Sequence, residues 1–282
     1  LKSIPLNPEF CFITPTAYLN QFAAQTKRHL VLAHLVERDE AYREFYRKRA
    51  TYGDYIMMDN SAYELLEPFS PDKLLSLAGQ CGASAIVLPD YPFQPAEKTV
   101  EAAEKFAPIF RCAGYHSFFV PQSKRGDLAD WLAAYEYATN NPLIDIIGMS
   151  ILGIPNALPH IDPAYARVVM TQVLQDGIMF ADKPHHYLGL NSGPNLEIPS
   201  LLRMDALTSI DSSGPVWAGI LGHSYTTEAD SYQMVSKLKL PVNFDLPLTK
   251  DKATLDRIQN NVDMTKALFT QTNNNAVWYA HE

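Results

Sequence analysis

Apolar residues along the chain gather in short unbroken runs rather than in strict alternation. FCFIT (10–14), HLVLAH (29–34), YIMMDN (55–60), AIVLPD (85–90), SFFVPQ (117–122), DIIGMSI (145–151), HYLGLN (186–191) and TSIDSS (208–213) are eight such stretches. A run that is apolar on both faces belongs to a strand covered on both sides, as in a parallel sheet. The intervals carry helical signals. Ser70 and Pro71 stand as N-cap and first-turn proline before DKLLSLAGQCG, and PAEKTVEAAEKFA, GDLADWLAAYEYA and DPAYARVVMTQVL repeat their apolar positions with helical period.

Eight strands alternating with helices, with no break in composition, predict an α/β fold: a (β/α)8 TIM barrel in a single domain over residues 1–282. The strands occupy 10–213. TTEADSYQMVSKLKL and KATLDRIQNNVDMTKALF predict closing helices within 224–270, and 271–282 reads as a tail. The rival is a doubly wound open sheet, which usually carries a glycine-rich first turn. Here FCFIT is followed by PTAYLNQF, with no glycine.

Composition narrows the class. A 47% hydrophobic and 19% charged chain has an ample core, and no apolar stretch reaches the length of a membrane span. LKSIPLNPEF lacks the apolar core of a signal peptide, so a cytoplasmic location in a bacterium or phage-infected cell is expected. Cys11, Cys81 and Cys112 are scattered, giving neither a disulfide framework nor a zinc motif. The net charge of −8 argues against a broad basic surface, leaving two local basic runs, RKR (47–49) and SKR (123–125). Taken alone, each reads as a solvated face.

The strands end in a consistent polar set: Asp59, Asp90, Gln122, Ser150, Asn191 and Asp211. In a barrel the C-terminal strand ends form the active face. One aspartate after a strand is an ordinary turn former, but three at the same end crowd charge at one mouth and raise one another's pKa. Two carboxylates facing across a pocket suit chemistry at an acetal carbon, one attacking while the other moves a proton.

MMDNSAYE (57–64) resembles the DSGGYQ motif of the queuine/archaeosine tRNA-guanine transglycosylases. It is closer still to the DNGAxE variant of phage and bacterial relatives that insert 7-deazaguanines into DNA. VLPDYP resembles the family's second acidic strand end, FFVPQS its glutamine strand, IGMSILGIP its Gly-Leu segment and HHYLGLN its YLMGVG. TSIDSS falls where the family has MFDCVLPTR. The motifs keep family order across residues 55–213, about half the chain.

The resemblance implies a pentosyltransferase that exchanges guanine for a 7-deazaguanine of preQ0 or preQ1 type; no cofactor is expected, and no metal in a chain without the family's zinc ligands. Asp211 would be the nucleophile at C1′ and Asp59 the general acid/base. Asp90 would accept from guanine N1–H and the 2-amino group. Gln122 would donate to O6, assisted by the backbone near Leu152 and Gly153. Tyr63 and Leu188 would sandwich the base, with Ser150 and Asn191 as further lining. For His223 a structural role is favoured over a phosphate contact. The family's cysteine-rich zinc site has no counterpart here, and Ser61–Ala62 replaces a glycine pair, which narrows the pocket floor. These departures favour DNA over tRNA as the target. A tRNA-directed enzyme, a non-catalytic nucleic-acid-binding relative and an unrelated barrel glycosidase are the alternatives, and oligomeric state and an accessory subunit stay open.

Overall fold

The computed structural model describes residues 1–65, 67–190, 194–226 and 242–271. Eight parallel strands follow one another around a (β/α)8 barrel: β1 (Glu9–Phe12), β2 (Arg28–Leu32), β3 (Tyr55–Asp59), β4 (Ala85–Val87), β5 (His116–Phe119), β6 (Ile146–Gly148), β7 (His185–Tyr187) and β8 (Ser209–Ser212). Each pairs in parallel with its sequence neighbour from β2 to β8, and β8 returns to pair with β1 with Cys11 opposite Asp211. That consecutive order excludes the doubly wound sheet. β1 and β2 lie side by side without a backbone ladder, the one seam among the described strands.

All eight strands fall where the apolar runs place them, but they are shorter. Several expected strands ran to the polar residue at the tip, whereas β4 ends at Val87 and β5 at Phe119. Pro89 and Pro121 follow closely and have no N–H to give a ladder, so the chain leaves the sheet before Asp90 and Gln122. Both side chains are thereby carried on loops above the barrel rather than within it.

The described helices are α1 (Ala33–Arg38), α2 (Glu40–Thr51), α3 (Ala62–Leu65), α4 (Pro71–Cys81), α5 (Ala96–Cys112), α6 (Leu128–Asn140), α7 (Gly153–Ala157), α8 (Pro163–Asp176), α9 (Pro194–Arg203), α10 (Gly214–Ile220) and α11 (Lys252–Gln271). Pro71 opens α4 as expected, although the Ser70 side chain makes no capping bond. Asp127 and Asp162, in contrast, cap α6 and α8 by accepting from Asp130 N and Ala164 N. Of the two closing helices expected, α11 is present, whereas 226–240 lies almost wholly outside the described residues, as does the tail. α11 packs on α10 at Gly219, where a Cβ would stand 2.6 Å from Ile258 Cγ1. Among the described residues no helix is long and apolar enough to cross a membrane.

Candidate active site

A cavity of about 490 Å³ opens at the C-terminal ends of the strands, within the range of pockets that hold small organic ligands. Asp59, Asp90, Gln122, Ser150 and Asp211, from five different strand ends, line it together. Leu30, Leu32, Val120 and Leu188 make its apolar wall. Gly148 on β6 creates room for that wall. A Cβ there would lie 2.8 Å from Phe118 and Val120 and 3.1 Å from Leu188.

Asp90 is buried and has both oxygens held. Asn60 Nδ2 donates to Oδ1 at 2.7 Å and Gln122 Nε2 to Oδ2 at 2.6 Å. Asn60 also donates to the Leu88 carbonyl at 2.8 Å and accepts from Ala62 N–H, so it pins the turn after β3 to the end of β4. Burial pushes the Asp90 carboxyl up to about 6, against the opposing pull of the two amides. Gln122 Oε1, buried against Gly153, has no hydrogen-bond partner among the described residues.

Asp59 accepts from Ser61 N–H at 2.8 Å. Ser61 has φ +61°, a left-handed conformation that glycine adopts freely and serine does not. His34 holds it there, donating from its backbone N–H to Ser61 Oγ at 3.1 Å. Ser61 therefore turns away from the cavity, and only Ala62 narrows the floor. Burial raises the Asp59 carboxyl well above its ordinary range, and Glu64, Asp90 and Asp211 add repulsion. Desolvation leads, so crowding is the lesser part of what the strand-end carboxylates suggested.

Asp211 is sealed but for 7% of its surface. Its Oδ1 accepts from Gly189 N–H at 2.8 Å and meets His186 Nε2 at 3.1 Å. No cationic side chain pairs with Asp59, Asp90 or Asp211 among the described residues, so these carboxylates face the cavity unneutralised.

Tyr63 lines the rim and is 66% exposed, across a cavity that Leu188 also lines. Leu152 lines the cavity as well, but Gly153 does not. The N–H groups of Leu152 and Gly153, expected to point at a ligand oxygen, instead donate to Ser150 Oγ at 3.1 and 3.0 Å. The serine satisfies the free amides at the start of α7, as hydroxyls do at helix entries. Gly153 contributes by its smallness, since a Cβ would sit 2.9 Å from Gln122 Oε1. Asn191 lies outside the described residues. His223 does not line the cavity; it follows α10, where its carbonyl accepts from Asn261 at 2.9 Å.

Sequence reading missed Glu64, His186, Arg167 and Glu197. Glu64 lines the mouth with part of its surface in solvent, its carboxyl raised by desolvation in the mouth and by Asp211. His186 stands two residues before Leu188 and therefore on the same strand face, a signal available in the sequence. Arg167 on α8 and Glu197 on α9 form a fully buried ion pair, with contacts of 2.7 and 2.8 Å. Nothing local announces that pair.

No protein-family model matches the chain, and no curated protein does. Among solved structures, a protein from Aquifex aeolicus VF5 aligns over 95% of this chain and 94% of its own, with TM-score 0.50 and 12% identity. A tryptophan synthase complex from Pyrococcus furiosus (TM-score 0.43, 11% identity, 80% of this chain and 74% of that chain) is also similar. So is RipC from Yersinia pestis (TM-score 0.44, 9% identity, 85% and 98%). At such identities the likeness is one of fold alone.

Proposed function

We propose that this protein is a guanine transglycosylase that exchanges guanine in DNA for a 7-deazaguanine base through a covalent Asp211–sugar intermediate. The observation that carries this reading is the convergence of Asp59, Asp90, Gln122 and Asp211 on one cavity of about 490 Å³, with no neutralising cation among the described residues. Asp211 attacks C1′ and the C1′–N9 bond breaks, its electron pair leaving with guanine. Asp59, whose raised pKa keeps a proton at hand, protonates the departing base. The incoming base then returns a proton to Asp59 as its nitrogen attacks C1′ and frees the Asp211 carboxylate. Asp90 accepts from the two donors on the guanine edge. Adenine lacks that pair and would set its own N1 acceptor against the carboxylate.

The two basic runs differ in a way that supports a nucleic-acid strand crossing the mouth. In RKR, Arg47 pairs with Glu44 and Arg49 with Asp54. In SKR, Lys124 and Arg125 are exposed, directly follow Ser123 beside Gln122, and have no partner among the described residues. Their loop is fixed to α7, with Gly126 N–H donating to the Asn156 carbonyl at 2.8 Å and Asn156 Nδ2 to the Ser123 carbonyl at 2.8 Å. A stacked duplex base does not reach such a pocket, so single-stranded or flipped guanine is the substrate form.

The test is release of labelled guanine from single-stranded DNA, duplex DNA and tRNA, each with and without a 7-deazaguanine base, read beside a denaturing gel for the adduct. Base-dependent release from DNA with an adduct is expected. Release from tRNA alone would move the target, release of free sugar by water would make the protein a glycosidase, and no release at all would end the proposal.

A further inference from the structure

We propose that His186 and the Gly189 amide form a two-donor clamp that gives the two oxygens of Asp211 different tasks, with Arg167 positioning half of it. The inference rests on the reading of Asp211 as nucleophile. Both donors fall on one oxygen: Gly189 N–H and His186 Nε2 meet Oδ1. Oδ2 has no partner among the described residues, and the side chain lines the cavity.

The histidine half is fixed by elimination. His186 is wholly buried, and burial lowers its pKa although Asp211 pulls the other way, so the ring is neutral and carries one N–H. A carboxylate only accepts, so the proton sits on Nε2. Nδ1 is then an acceptor, and Ser209 Oγ, 2.7 Å away, donates to it. Ser209, His186 and Asp211 thus form a directional relay ending on Oδ1.

The backbone half is fixed by one peptide plane. The Leu188–Gly189 peptide is trans, so its C=O and N–H point in opposite directions. Arg167 Nη1 holds that carbonyl at 3.0 Å, and the N–H on the other side reaches Asp211. Arg167 also binds the Met149 carbonyl at 3.0 Å and the Gly189 carbonyl at 2.9 Å, while Glu197 takes its remaining donors. Gly189 has φ +71°, which places the turn where other residues are strained.

With Oδ1 held, Oδ2 is the oxygen that bonds C1′ as the C1′–N9 bond breaks. When the incoming base displaces the ester, negative charge returns to the carboxylate, and the two donors on Oδ1 stabilise it as a leaving group. His186 and Arg167 touch neither sugar nor base. They are positioning residues.

The experiment compares His186→Leu, which removes the donor, with His186→Gln, which offers an amide N–H at similar reach. Single-turnover adduct formation is measured beside the affinity for a 7-deazaguanine base. The leucine variant is expected to slow adduct formation roughly 10–1000-fold with base affinity unchanged, and the glutamine variant to recover much of that loss. Equal losses in the two variants, or a loss of affinity that matches the loss of rate, would overturn the clamp. Nitrogen NMR of His186 in the unaltered protein gives a readout that needs no activity and survives a misfolded variant. A neutral Nε2–H ring at pH 7 to 8 is expected, and an Nδ1–H ring or a doubly protonated ring there would overturn the clamp. If no base is exchanged at all, the proposed function fails, while the spectrum still decides the geometry.

Discussion

Gln122 donates to Asp90 across the cavity mouth at 2.6 Å, and does so with an amide that carries no charge. The carboxylate is thus hydrogen-bonded but unneutralised, and burial pushes its pKa up to about 6. An acid raised on folding binds its proton more tightly folded than unfolded. It favours the fold at low pH, and that contribution is lost as pH rises from the ordinary carboxylate range through about 6. Asp90→Asn is therefore expected to stabilise the protein at pH 8 by about 1–3 kcal/mol, with Gln122 turning its unpartnered Oε1 toward the new amide. Near pH 4 the gain should vanish. Urea denaturation at the two pH values checks this, and equal gains at both would contradict it.

The same carboxylate must be ionised to accept two donors from a guanine edge. Affinity for a 7-deazaguanine base should fall about tenfold between pH 7 and pH 5, and Asp90→Asn should bind weakly at both. Calorimetric titration of the base across that range gives the answer.

Asp211→Ala should leave the fold intact, since the residue makes no ion pair with a permanently charged group, while base exchange and the covalent adduct both disappear. A loss of less than about 10³-fold in exchange would mean that another group carries the attack. Asp59→Asn should slow exchange without preventing base binding.

Arg167 and Glu197 are both sealed from solvent, so removing one leaves the other charged and alone. Arg167→Met is expected to cost about 3–5 kcal/mol of stability. Adding Glu197→Leu should return the part due to the orphaned charge, while the part due to the Met149, Leu188 and Gly189 carbonyls stays lost. Thermal melts of the two single variants and the double variant provide the cycle.

If a strand of nucleic acid crosses the mouth at Lys124 and Arg125, alanine at both should weaken binding to single-stranded DNA. The slope of log affinity against log salt should shrink by about 1–2. Binding of the free base should not change. Fluorescence anisotropy at several salt concentrations separates these outcomes.

The barrel was legible because buried parallel strands leave continuous apolar runs, and each run placed its polar tip at the same end. Asp59, Asp90, Gln122 and Asp211 could therefore be assigned to one face before any contact was known. The strand ends were overrun because period says nothing about ladders, while Pro89 and Pro121 do. Arg167 was invisible for a different reason. An arginine within a helical pattern reads as solvent-facing, and only folding brings Glu197, thirty positions later, against it. The backbone amides of Leu152 and Gly153 were misassigned because the hydroxyl of Ser150 competes for them locally.

The seam between β1 and β2 is fastened unevenly. At its lower end Lys27 N–H donates to Glu9 at 2.8 Å, and the Arg28 guanidinium reaches the carbonyls of Pro5, Asn7 and Thr208. At its upper end Ile13, which follows the strand beside that of Asp211, and Leu32 border the cavity. No backbone ladder crosses the seam there, whereas the other seven neighbouring strand pairs are laced, so widening the mouth on that side would break fewer interstrand bonds than widening it beside Asp90.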